Sequence, residues 1–434
     1  MAYSNKPMRR SALIGPWGVG AIVPFPNDES LMIAGLDMWR YNDSTPFIIE
    51  DERLQRRLGV QELRWPPDFR EKNADPKNCF LKIPAVRFPT WHYCPFCGTM
   101  QKTTLYQQQP ECDCYQWPNG RKCNPSFRHK RKLIPERFIV ICPDGHIDDF
   151  PVAEWVHHNS GHVYNPATCR IRRSTGGASA SLSGVFYECS CGAKRSIAGA
   201  TIPGALAKIG YQCKGAKPWL GMDTDQDHPC GNPEIRVVLR GATNVWFADT
   251  RSSLYIPTDG DSTQKKIIEI LDTYFDILSS SRIEGEWNRV PIDKLAETYH
   301  LDKDELFEAF IRRDRGLEGL SDISEDMTED AYRLAEYKVL IKNSGSDAQR
   351  FHSKNYPIAF YDPIISKYFK SISLVYKLQE TRAFVGFSRT EPKEMSISER
   401  KKMLRIGDDN WLPAIQVQGE GIFFEFNKSE LENW

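Results

Sequence analysis

The residues best able to do chemistry are cysteines, and they occupy one part of the chain. All twelve cysteines of this 434-residue sequence lie between Cys79 and Cys230. Three close pairs stand out among them: Cys94-x-x-Cys97, Cys112-x-Cys114 and Cys189-x-Cys191. Two thiolates one or two residues apart can both face inward from a tight turn, as the tetrahedral coordination of zinc requires. The spacing therefore predicts zinc as a structural cofactor, in one or two sites.

The later of the two predicted sites would use four thiolates. Cys189 and Cys191 supply its first two ligands from one turn. Cys213 follows a glycine-containing stretch, and Cys230 closes the set. Such a site leaves no coordination position open, so we expect its zinc to stabilise the fold and not to take part in a reaction.

The earlier predicted site has more candidate ligands than positions. Cys94 and Cys97 supply two sulfurs, and Cys112, Cys114 and Cys123 compete for the two remaining places. The spacing does not choose among these three. The assignment of the first site therefore stays open between them.

Another interpretation joins Cys142 and His146 to the first cysteine pair, which gives a site of three sulfurs and one imidazole nitrogen. The competing interpretation of Cys142 is a buried apolar thiol at the end of a strand, and we favour it slightly. Disulfides are the remaining alternative. The first ten residues show no apolar stretch after their charges, so nothing indicates a secretory signal. We therefore expect a soluble cytoplasmic protein, in which paired cysteines bind metal more often than each other.

Charge and hydropathy exclude some classes of protein. Lys and Arg together number 57, as do Asp and Glu, so the net charge gives no argument for a nucleic-acid partner. No apolar run approaches the length needed to cross a bilayer. Any binding to nucleic acid must therefore use a local basic patch.

One loop supplies such a patch. Its cations are interleaved with Phe127 and follow Tyr115 and Trp117, which combines cationic and stacking side chains. The competing interpretation is a solvated charged loop without a partner. Because the loop lies beside a predicted zinc site, we give contact with DNA equal weight. The candidate nucleic-acid-binding residues are Arg121, Lys122, Arg128, Lys130, Arg131 and Lys132.

A second cluster could support catalysis. His146, Asp148, Asp149 and His157 lie close together in sequence and could bind a hard metal that activates water, as in a nuclease. The interpretation we favour is that Asp148 or Asp149 caps the helix that starts near Pro151. We therefore expect a chain without catalytic residues and keep the metal-dependent nuclease as the alternative.

The sequence patterns around these residues predict a multi-domain α+β fold. Residues 1–87 form a mixed N-terminal segment, 88–240 a cysteine-rich zinc-binding domain of short strands, and 241–434 a helical region with a C-terminal β segment. The middle domain has little core material, so bound metal supplying on the order of 10 kcal/mol would hold it together. The glycines of Gly15-Pro-Trp-Gly-Val-Gly20 lack the Lys-Ser/Thr pair of a phosphate-binding P-loop.

Local patterns predict several elements in more detail. A helix is expected over 51–58, and apolar spacing predicts amphipathic helices over 266–278 and 325–341. The segment 291–313 has the pattern of a helix-turn-helix. Because its second helix is acidic and would repel phosphates, we favour a packing role for it. The chain is predicted to end in two strands, over 414–418 and 421–426.

Several specific segments carry a family resemblance. In this order along the chain they resemble the DrmB family of the bacterial DISARM antiphage systems, and the match spans nearly the whole sequence. The segments include Gly15-Pro-Trp-Gly-Val-Gly-Ala-Ile-Val23, Gly35-Leu-Asp-Met-Trp39, Cys94-Pro-Phe-Cys-Gly98, Cys142-Pro-Asp-Gly-His-Ile-Asp-Asp-Phe-Pro151, Arg240-Gly-Ala-Thr-Asn-Val-Trp-Phe247, Gly386-Phe-Ser-Arg389 and Trp411-Leu-Pro-Ala414.

The resemblance implies a non-motor subunit that works with a DrmA-like helicase. The complex would engage DNA carrying a single-stranded end and act against phage DNA, with ATP hydrolysis in the partner. Members of that family usually continue past Gly419-Glu-Gly-Ile-Phe423 into a further C-terminal domain, which this 434-residue sequence lacks, as in a short or truncated form. The remaining alternative is a protein-interaction scaffold without DNA contact.

Overall fold

The computed structural model describes residues 8–68, 81–118, 123, 131–176, 181–221, 230–256, 261–283, 286–314, 329–345 and 350–433. The chain divides into two compact units. Unit 1 comprises Met1–Ile48, Arg64–Arg251 and Ala383–Ile415, and unit 2 comprises Ile49–Leu63, Ser252–Arg382 and Gln416–Trp434. The described helices and strands confirm the predicted α+β class.

The strands are short in the first half of the chain and long near its end. In chain order they are β1 (Ile22–Phe25), β2 (Glu29–Ile33), β3 (Ile48–Ile49), β4 (Glu62–Arg64), β5 (Ala85–Arg87), β6 (Trp91–Tyr93), β7 (Met100–Lys102), β8 (Ile134–Pro135), β9 (Phe138–Ile141), β10 (Ile147–Asp149), β11 (Ile171–Thr175), β12 (Val185–Cys189), β13 (Lys194–Ser196), β14 (Arg236–Leu239), β15 (Phe247–Leu254), β16 (Arg282–Ile283), β17 (Glu286–Trp287), β18 (Ser344–Gly345), β19 (His352–Tyr356), β20 (Phe369–Ser388) and β21 (Trp411–Phe426).

Most of the long helices follow residue 260. In chain order the helices are α1 (Glu52–Leu58), α2 (Val152–His157), α3 (Asp261–Ser279), α4 (Arg289–Tyr299), α5 (Lys303–Asp314), α6 (Glu329–Leu340), α7 (Pro363–Tyr368), α8 (Ile397–Leu404) and α9 (Lys428–Asn433). None of the described helices combines the length and apolar character that a bilayer-spanning helix requires.

Unit 1 is built from small antiparallel sheets. Their strand orders are β1-β2-β5, β7-β6-β8, β10-β9-β14 and β11-β12-β13. The helix α2 packs against β12 and β13. Phe150, Trp155 and Tyr187 form the centre of a buried apolar cluster in this region, and the Phe150 ring stacks on Tyr187 with centroids 5.7 Å apart. These sheets hold the cysteine-bearing turns.

The glycine-rich segment near residue 15 is explained by packing. A Cβ atom at Gly18 would lie 2.9 Å from the ring of Phe384. Gly20 has a φ of 77°, and a Cβ there would overlap the ring of Phe387. Only glycine lets the backbone approach these rings so closely. The structure therefore gives these two glycines a role in the core.

Most of the predicted helices belong to unit 2. α1 begins after Asp51, whose carboxylate accepts the N–H of Leu54 at 2.9 Å as an N-cap. In α3, α4 and α5 the apolar faces meet in one core that includes Ile292, Leu306 and Phe310. The segment with the helix-turn-helix pattern thus places apolar side chains of both its helices in this core.

The end of the chain differs from the prediction. The two strands predicted over 414–418 and 421–426 are one 16-residue strand, β21. Gly419, Glu420 and Gly421 lie inside this strand, so the two predicted stretches are continuous. Within unit 2, β19 pairs antiparallel with β20, with Ser353 opposite Val375.

The units are discontinuous along the chain, unlike the consecutive segments predicted from the sequence. Residues of the predicted segments 1–87 and 88–240 share unit 1, which also takes in Ala383–Ile415. One change of unit falls between Arg251 and Ser252. All the described candidate metal ligands therefore belong to unit 1.

Candidate metal centres

The described cysteines and histidines form three groups of four. Within each group the ligand atoms lie within 4.8 Å of one another. We call them site 1, with Cys94, Cys97, Cys112 and Cys123, site 2, with Cys142, His146, Cys213 and Cys230, and site 3, with His157, Cys169, Cys189 and Cys191. The described cysteines form no disulfide. Cys79 lies outside the described residues.

Site 1 is built on the turn between β6 and β7. The N–H of Gly98 donates to the carbonyl of Cys94 at 2.9 Å, and Cys94 N–H donates to Thr99 O at 2.9 Å. Gly98 has a φ of 78°, which lets the chain turn sharply enough for both sulfurs to face inward. The Cys97 sulfur lies 3.6 Å from that of Cys112.

The structure decides between the three competing ligands of site 1. Cys112 and Cys123 join the group, and the Cys94 and Cys123 sulfurs lie 3.7 Å apart. Cys114 is buried beside them but is not a member, and its sulfur lies 3.7 Å from the carbonyl oxygen of Cys112. The φ of Cys114 is 58°, which places this non-glycine residue in the left-handed region. The predicted ligand role of Cys114 is therefore not supported by the geometry.

Site 2 is built on the turn between β9 and β10. Cys142 and His146 lie at its two ends, where the N–H of Cys142 donates to the carbonyl of His146 at 3.0 Å. The sulfurs of Cys142 and Cys230 lie 3.8 Å apart. Cys213 and Cys230 are held together because Gly231 N–H donates to Cys213 O at 3.0 Å.

Two further observations characterise site 2. The Nδ1 atom of His146 is buried, and no described group forms a hydrogen bond with it. A buried ring nitrogen without a partner is costly unless a metal or a proton donor meets it. Beside the sulfurs, the carboxylate of Asp144 accepts from Asn232 Nδ2 at 2.9 Å and from Cys230 Sγ at 3.2 Å. The second of these hydrogen bonds needs the proton of the Cys230 thiol, which metal binding at site 2 would displace.

Site 3 joins the end of α2 to the turn between β12 and β13. Cys189 and Cys191 lie on that turn, and Cys169 precedes β11, whose Ile171 is opposite Cys189. His157 Nε2 lies 3.4 Å from the sulfur of Cys191. The other ring nitrogen, Nδ1, lies 2.7 Å from the carbonyl oxygen of Ala153. That hydrogen bond places the proton on Nδ1, so the lone pair of Nε2 faces the sulfurs.

The four-cysteine site predicted from the sequence is wrong in its grouping. Cys189 and Cys191 belong to site 3, whereas Cys213 and Cys230 belong to site 2. The reason is tertiary: β12 and β13 pack on α2, so the turn between them meets His157 instead of the later cysteines.

Sequence reasoning missed Cys169 as a ligand and gave His157 only to the nuclease alternative. It assigned Cys142 and His146 to no site of their own and slightly favoured a buried thiol for Cys142. The signal that could have found site 2 was the spacing Cys142-x-x-x-His146, which offers a pair of ligands that Cys213 and Cys230 could complete.

The distances suit a tetrahedral metal ion. With metal–sulfur bonds of about 2.3 Å, two sulfurs of a tetrahedron lie about 3.8 Å apart. Two sulfur–sulfur distances at site 1 are 3.6 and 3.7 Å, and one at site 2 is 3.8 Å. A disulfide would need about 2.05 Å. Site 1 offers four thiolates, whereas sites 2 and 3 each offer three thiolates and one imidazole. Both donor sets occur in closed structural zinc sites.

The thiols of these groups differ in acidity. At site 1, the hydrogen bond from Cys94 lowers the pKa of Cys97 to about 4. The same interaction raises the pKa of Cys94. At site 3, the N–H of Asn165 lowers the pKa of Cys169, whereas burial raises the pKa of Cys189 to about 12. Metal ligands must be deprotonated, so metal binding has to displace protons from these groups and weakens as the pH falls.

The acidic residues of the nuclease alternative have structural partners. The buried carboxylate of Asp149 accepts the N–H of Thr90 at 2.7 Å and of Trp91 at 3.2 Å, and it contacts the Thr90 hydroxyl. It lies in β10 and does not cap α2, whose N-cap, Pro151, has no side-chain hydrogen bond. Asp148 accepts from Tyr211 Oη at 3.3 Å. The predicted capping role is therefore wrong, since both carboxylates point to other partners.

The histidines of that alternative are also separated from each other. His146 belongs to site 2 and His157 to site 3. A water-activating metal held by both histidines and the two carboxylates has no counterpart among the three groups found in the described chain.

Part of the basic patch lies beside site 1. Arg131 and Lys132 are exposed, and the Arg131 guanidinium lies 4.5 Å from the ring centroid of Phe96, inside the Cys94–Cys97 turn. The carbonyl of Arg131 accepts the N–H of the ligand Cys112 at 2.8 Å. Arg121, Lys122, Arg128 and Lys130 lie outside the described residues. The described part of the patch is therefore anchored to a candidate metal ligand.

Two comparisons with known proteins bear on this geometry. Residues 9–247 match the model of a family described as a domain of unknown function, DUF8724. The matched range contains all three sites. The chain is also 27% identical over 423 residues to a protein of Bacillus paralicheniformis named "DISARM protein DrmB", covering 94% of this chain and 68% of the relative.

Proposed function

Because this chain belongs to the DrmB family of DISARM proteins and carries the DUF8724 domain, we propose that it is a zinc-stabilised, non-motor subunit of an antiphage defence complex. In that complex it contacts DNA and assembles with a DrmA-like helicase that hydrolyses ATP. The observation that carries the assignment is the match over 94% of the chain to a DISARM protein.

Zinc is the metal that the three donor sets favour. Sulfur and imidazole ligands in tetrahedral arrangement are typical of zinc, and four protein ligands leave no position for a substrate. When bound, zinc supplies cross-links between segments that are short and far apart in sequence. The role of the ligands is therefore to fix turns and loops, which suits a scaffold.

DNA contact is proposed for the surface next to site 1. There Arg131 and Lys132 supply positive charge, and Phe96 supplies an aromatic ring beside the Arg131 guanidinium. Phosphate contacts of this kind position a strand without reading its sequence. Since the Arg131 carbonyl accepts the N–H of Cys112, metal binding at site 1 would also hold this surface in place.

The absence of catalysis in this chain is part of the proposal. The sequence has no P-loop, and the Asp149 carboxylate is occupied by Thr90 and Trp91. We therefore expect no cleavage of DNA by the purified chain in magnesium or manganese. Cleavage that is lost on Asp149→Asn would instead establish the nuclease alternative.

The central experiment is co-purification with a DrmA-like helicase, followed by DNA binding with and without this chain. A stable complex whose affinity for DNA with a single-stranded end exceeds that of the helicase alone is the expected result. No association, or an unchanged affinity, would contradict the proposed role. Association without any effect on DNA would favour the pure scaffold.

The DNA surface can be tested separately by charge reversal. We expect Arg131→Glu with Lys132→Glu to weaken DNA binding and to make it less dependent on salt. Each lost phosphate contact lowers the slope of log affinity against log salt concentration by about one. The matched control is Lys401→Glu with Lys402→Glu, at two exposed positions of α8. An affinity and salt slope equal to those of the control would remove this surface from the proposal.

A further inference from the structure

A pocket of 470 Å³ opens on unit 1 beside site 3. One wall comes from the end of α2, with Trp155 and His158, and another comes from β13, with Arg195, and the segment after it, with Gly199. Lys208 also lines the pocket. Its volume lies in the range of small-molecule sites, which is about 300 to 1,000 Å³. The pocket is therefore large enough for a ligand of nucleotide size.

The charges of the pocket have one sign. Arg195, Lys208 and His158 line it, and no Asp or Glu is among the lining residues. The nearest acidic side chain along α2, Glu154, pairs with Lys214 at 3.5 Å. Lys208 is exposed, and no ion pair to it is found among the described residues. A concave surface with unbalanced cations attracts anions.

Arg195 is held in a defined position. Its guanidinium lies 3.7 Å from the ring centroid of the buried Trp155, and Nη1 donates to the Trp155 carbonyl at 3.2 Å. No carboxylate partner for it is found in the described part of the chain. Partial burial lowers the pKa of Arg195, as expected for a cation that has lost water without gaining a counter-ion. Its remaining N–H donors can bind an oxyanion in the fork geometry of guanidinium.

Site 3 couples the walls of the pocket. His157 precedes His158 at the end of α2, and Cys189 and Cys191 lie on the turn that leads into β13 and Arg195. A metal ion at site 3 would join the helix wall to the hairpin wall. The cations would then keep their spacing without a ligand, which lowers the entropy cost of binding.

From these observations we propose that the pocket binds the phosphate group of a nucleotide-sized ligand, with Arg195 and Lys208 as the contacting cations. The phosphate belongs either to a free nucleotide or to a nucleotide of a DNA strand. The second source rests on the proposed function, whereas the first does not. Neither source involves a chemical step in the pocket.

The test uses the full chain and two kinds of probe. Adenosine monophosphate is titrated by calorimetry, and dye-labelled single-stranded DNA, with and without a 5′-phosphate, is titrated by fluorescence anisotropy. Lys208→Glu should weaken binding roughly tenfold, the loss expected for one charge-assisted contact. Arg195→Gln is the second variant, and circular dichroism shows whether it folds. Lys402→Glu is the matched control, with the same charge change outside the pocket.

The outcomes separate this inference from the proposed function. Loss of nucleotide binding in Lys208→Glu supports the pocket with a free nucleotide as ligand, and loss of oligonucleotide binding alone supports the strand. Nucleotide binding through Lys208 without any DNA binding supports the pocket and contradicts DNA contact. DNA binding that depends on Arg131, with both nucleotide and DNA binding unchanged in Lys208→Glu, overturns the pocket and leaves DNA contact standing. Absence of binding of every probe also overturns the pocket.

Discussion

Single residues decide which sulfurs can share a metal. Cys112 and Cys114 are two positions apart and both buried, yet only Cys112 places its sulfur within reach of Cys97. The left-handed φ of Cys114 directs its side chain elsewhere. Membership of a site is therefore a matter of backbone conformation at each cysteine, and this difference can be measured.

We expect the purified chain to contain about three equivalents of zinc, one for each group of four ligands. Cys97→Ser should remove one equivalent, because a hydroxyl is a poor replacement for a thiolate. Cys114→Ser is the matched control, since Cys114 lies outside the group, and it should keep all the metal. Elemental analysis by mass spectrometry provides the measurement.

Two results would contradict this assignment. Equal metal loss in the Cys114 and Cys97 variants would mean that site 1 has another ligand set. A metal-free chain with a well-ordered unit 1 would remove the zinc proposal altogether.

At the scale of elements, turns between short strands bring the ligands together. Sites 1 and 2 use the turns β6–β7 and β9–β10, and site 3 uses the turn β12–β13 together with α2. At site 1 the turn is confined from outside, because a Cβ at Gly98 would overlap the backbone carbonyl of Arg173. The turn can keep its shape only with glycine at that position.

Gly98→Ala should therefore lower the free energy of unfolding by roughly 3 kcal/mol or more, from φ strain together with overpacking. The control is Gly161→Ala, which has a φ of 73° but open space around its Cβ. In this control only the φ strain should act, so the free energy of unfolding should fall by roughly 1 kcal/mol. Chemical denaturation measures both values, and equal losses would show that the contact with Arg173 is unimportant.

At the scale of the whole molecule, one arginine connects distant segments of unit 1. The buried guanidinium of Arg389 donates to the carbonyls of Gly20 at 3.0 Å, Gly145 at 2.9 Å and Val245 at 2.7 Å. It also lies 5.2 Å from the ring centroid of Trp219. Burial lowers the pKa of Arg389 to about 9, so the charge is kept at neutral pH. Segments that carry the family resemblance thus converge on one side chain.

We expect Arg389→Met to reduce the free energy of unfolding by roughly 3 to 5 kcal/mol, because three buried carbonyls lose their donor. Arg236→Met removes an exposed guanidinium from β14 and should change it by less than about 0.5 kcal/mol. Denaturant titration compares the two. A similar, small loss in both variants would show that Arg389 does not hold the segments together.

The two units should also respond differently to metal removal. All three sites lie in unit 1, and no further group of metal-binding side chains is found among the described residues of unit 2. Since structural zinc contributes folding free energy directly, a strong chelator should expose the amides of β9 and β12. The amides of α4, packed in an apolar core, should stay protected. Hydrogen exchange with mass spectrometry measures both.

Uniform loss of protection across both units would mean that they unfold together. Unchanged protection in β9 and β12 would mean that the sites are not needed for the fold. Either result would revise the role given to the metal.

Local order was predictable where neighbours in sequence decide it. The helices predicted over 51–58 and 266–278, which are α1 and part of α3, follow from residue types a few positions apart. The Cys94-x-x-Cys97 turn is of the same kind. The four-cysteine grouping failed because Cys191 and Cys213 are adjacent in the order of cysteines but lie on segments that pack against different elements.

The sequence by itself determined the α+β class, the local elements, the family and the presence of sulfur ligands, since these depend on composition, periodicity and short motifs. Only the tertiary structure decided which ligands share a site, that His157 and Cys169 join one of them, and that cations without acidic neighbours line a pocket beside it. Such groupings depend on the packing of segments that are far apart in sequence, and ligand spacing along the chain carries no record of that packing.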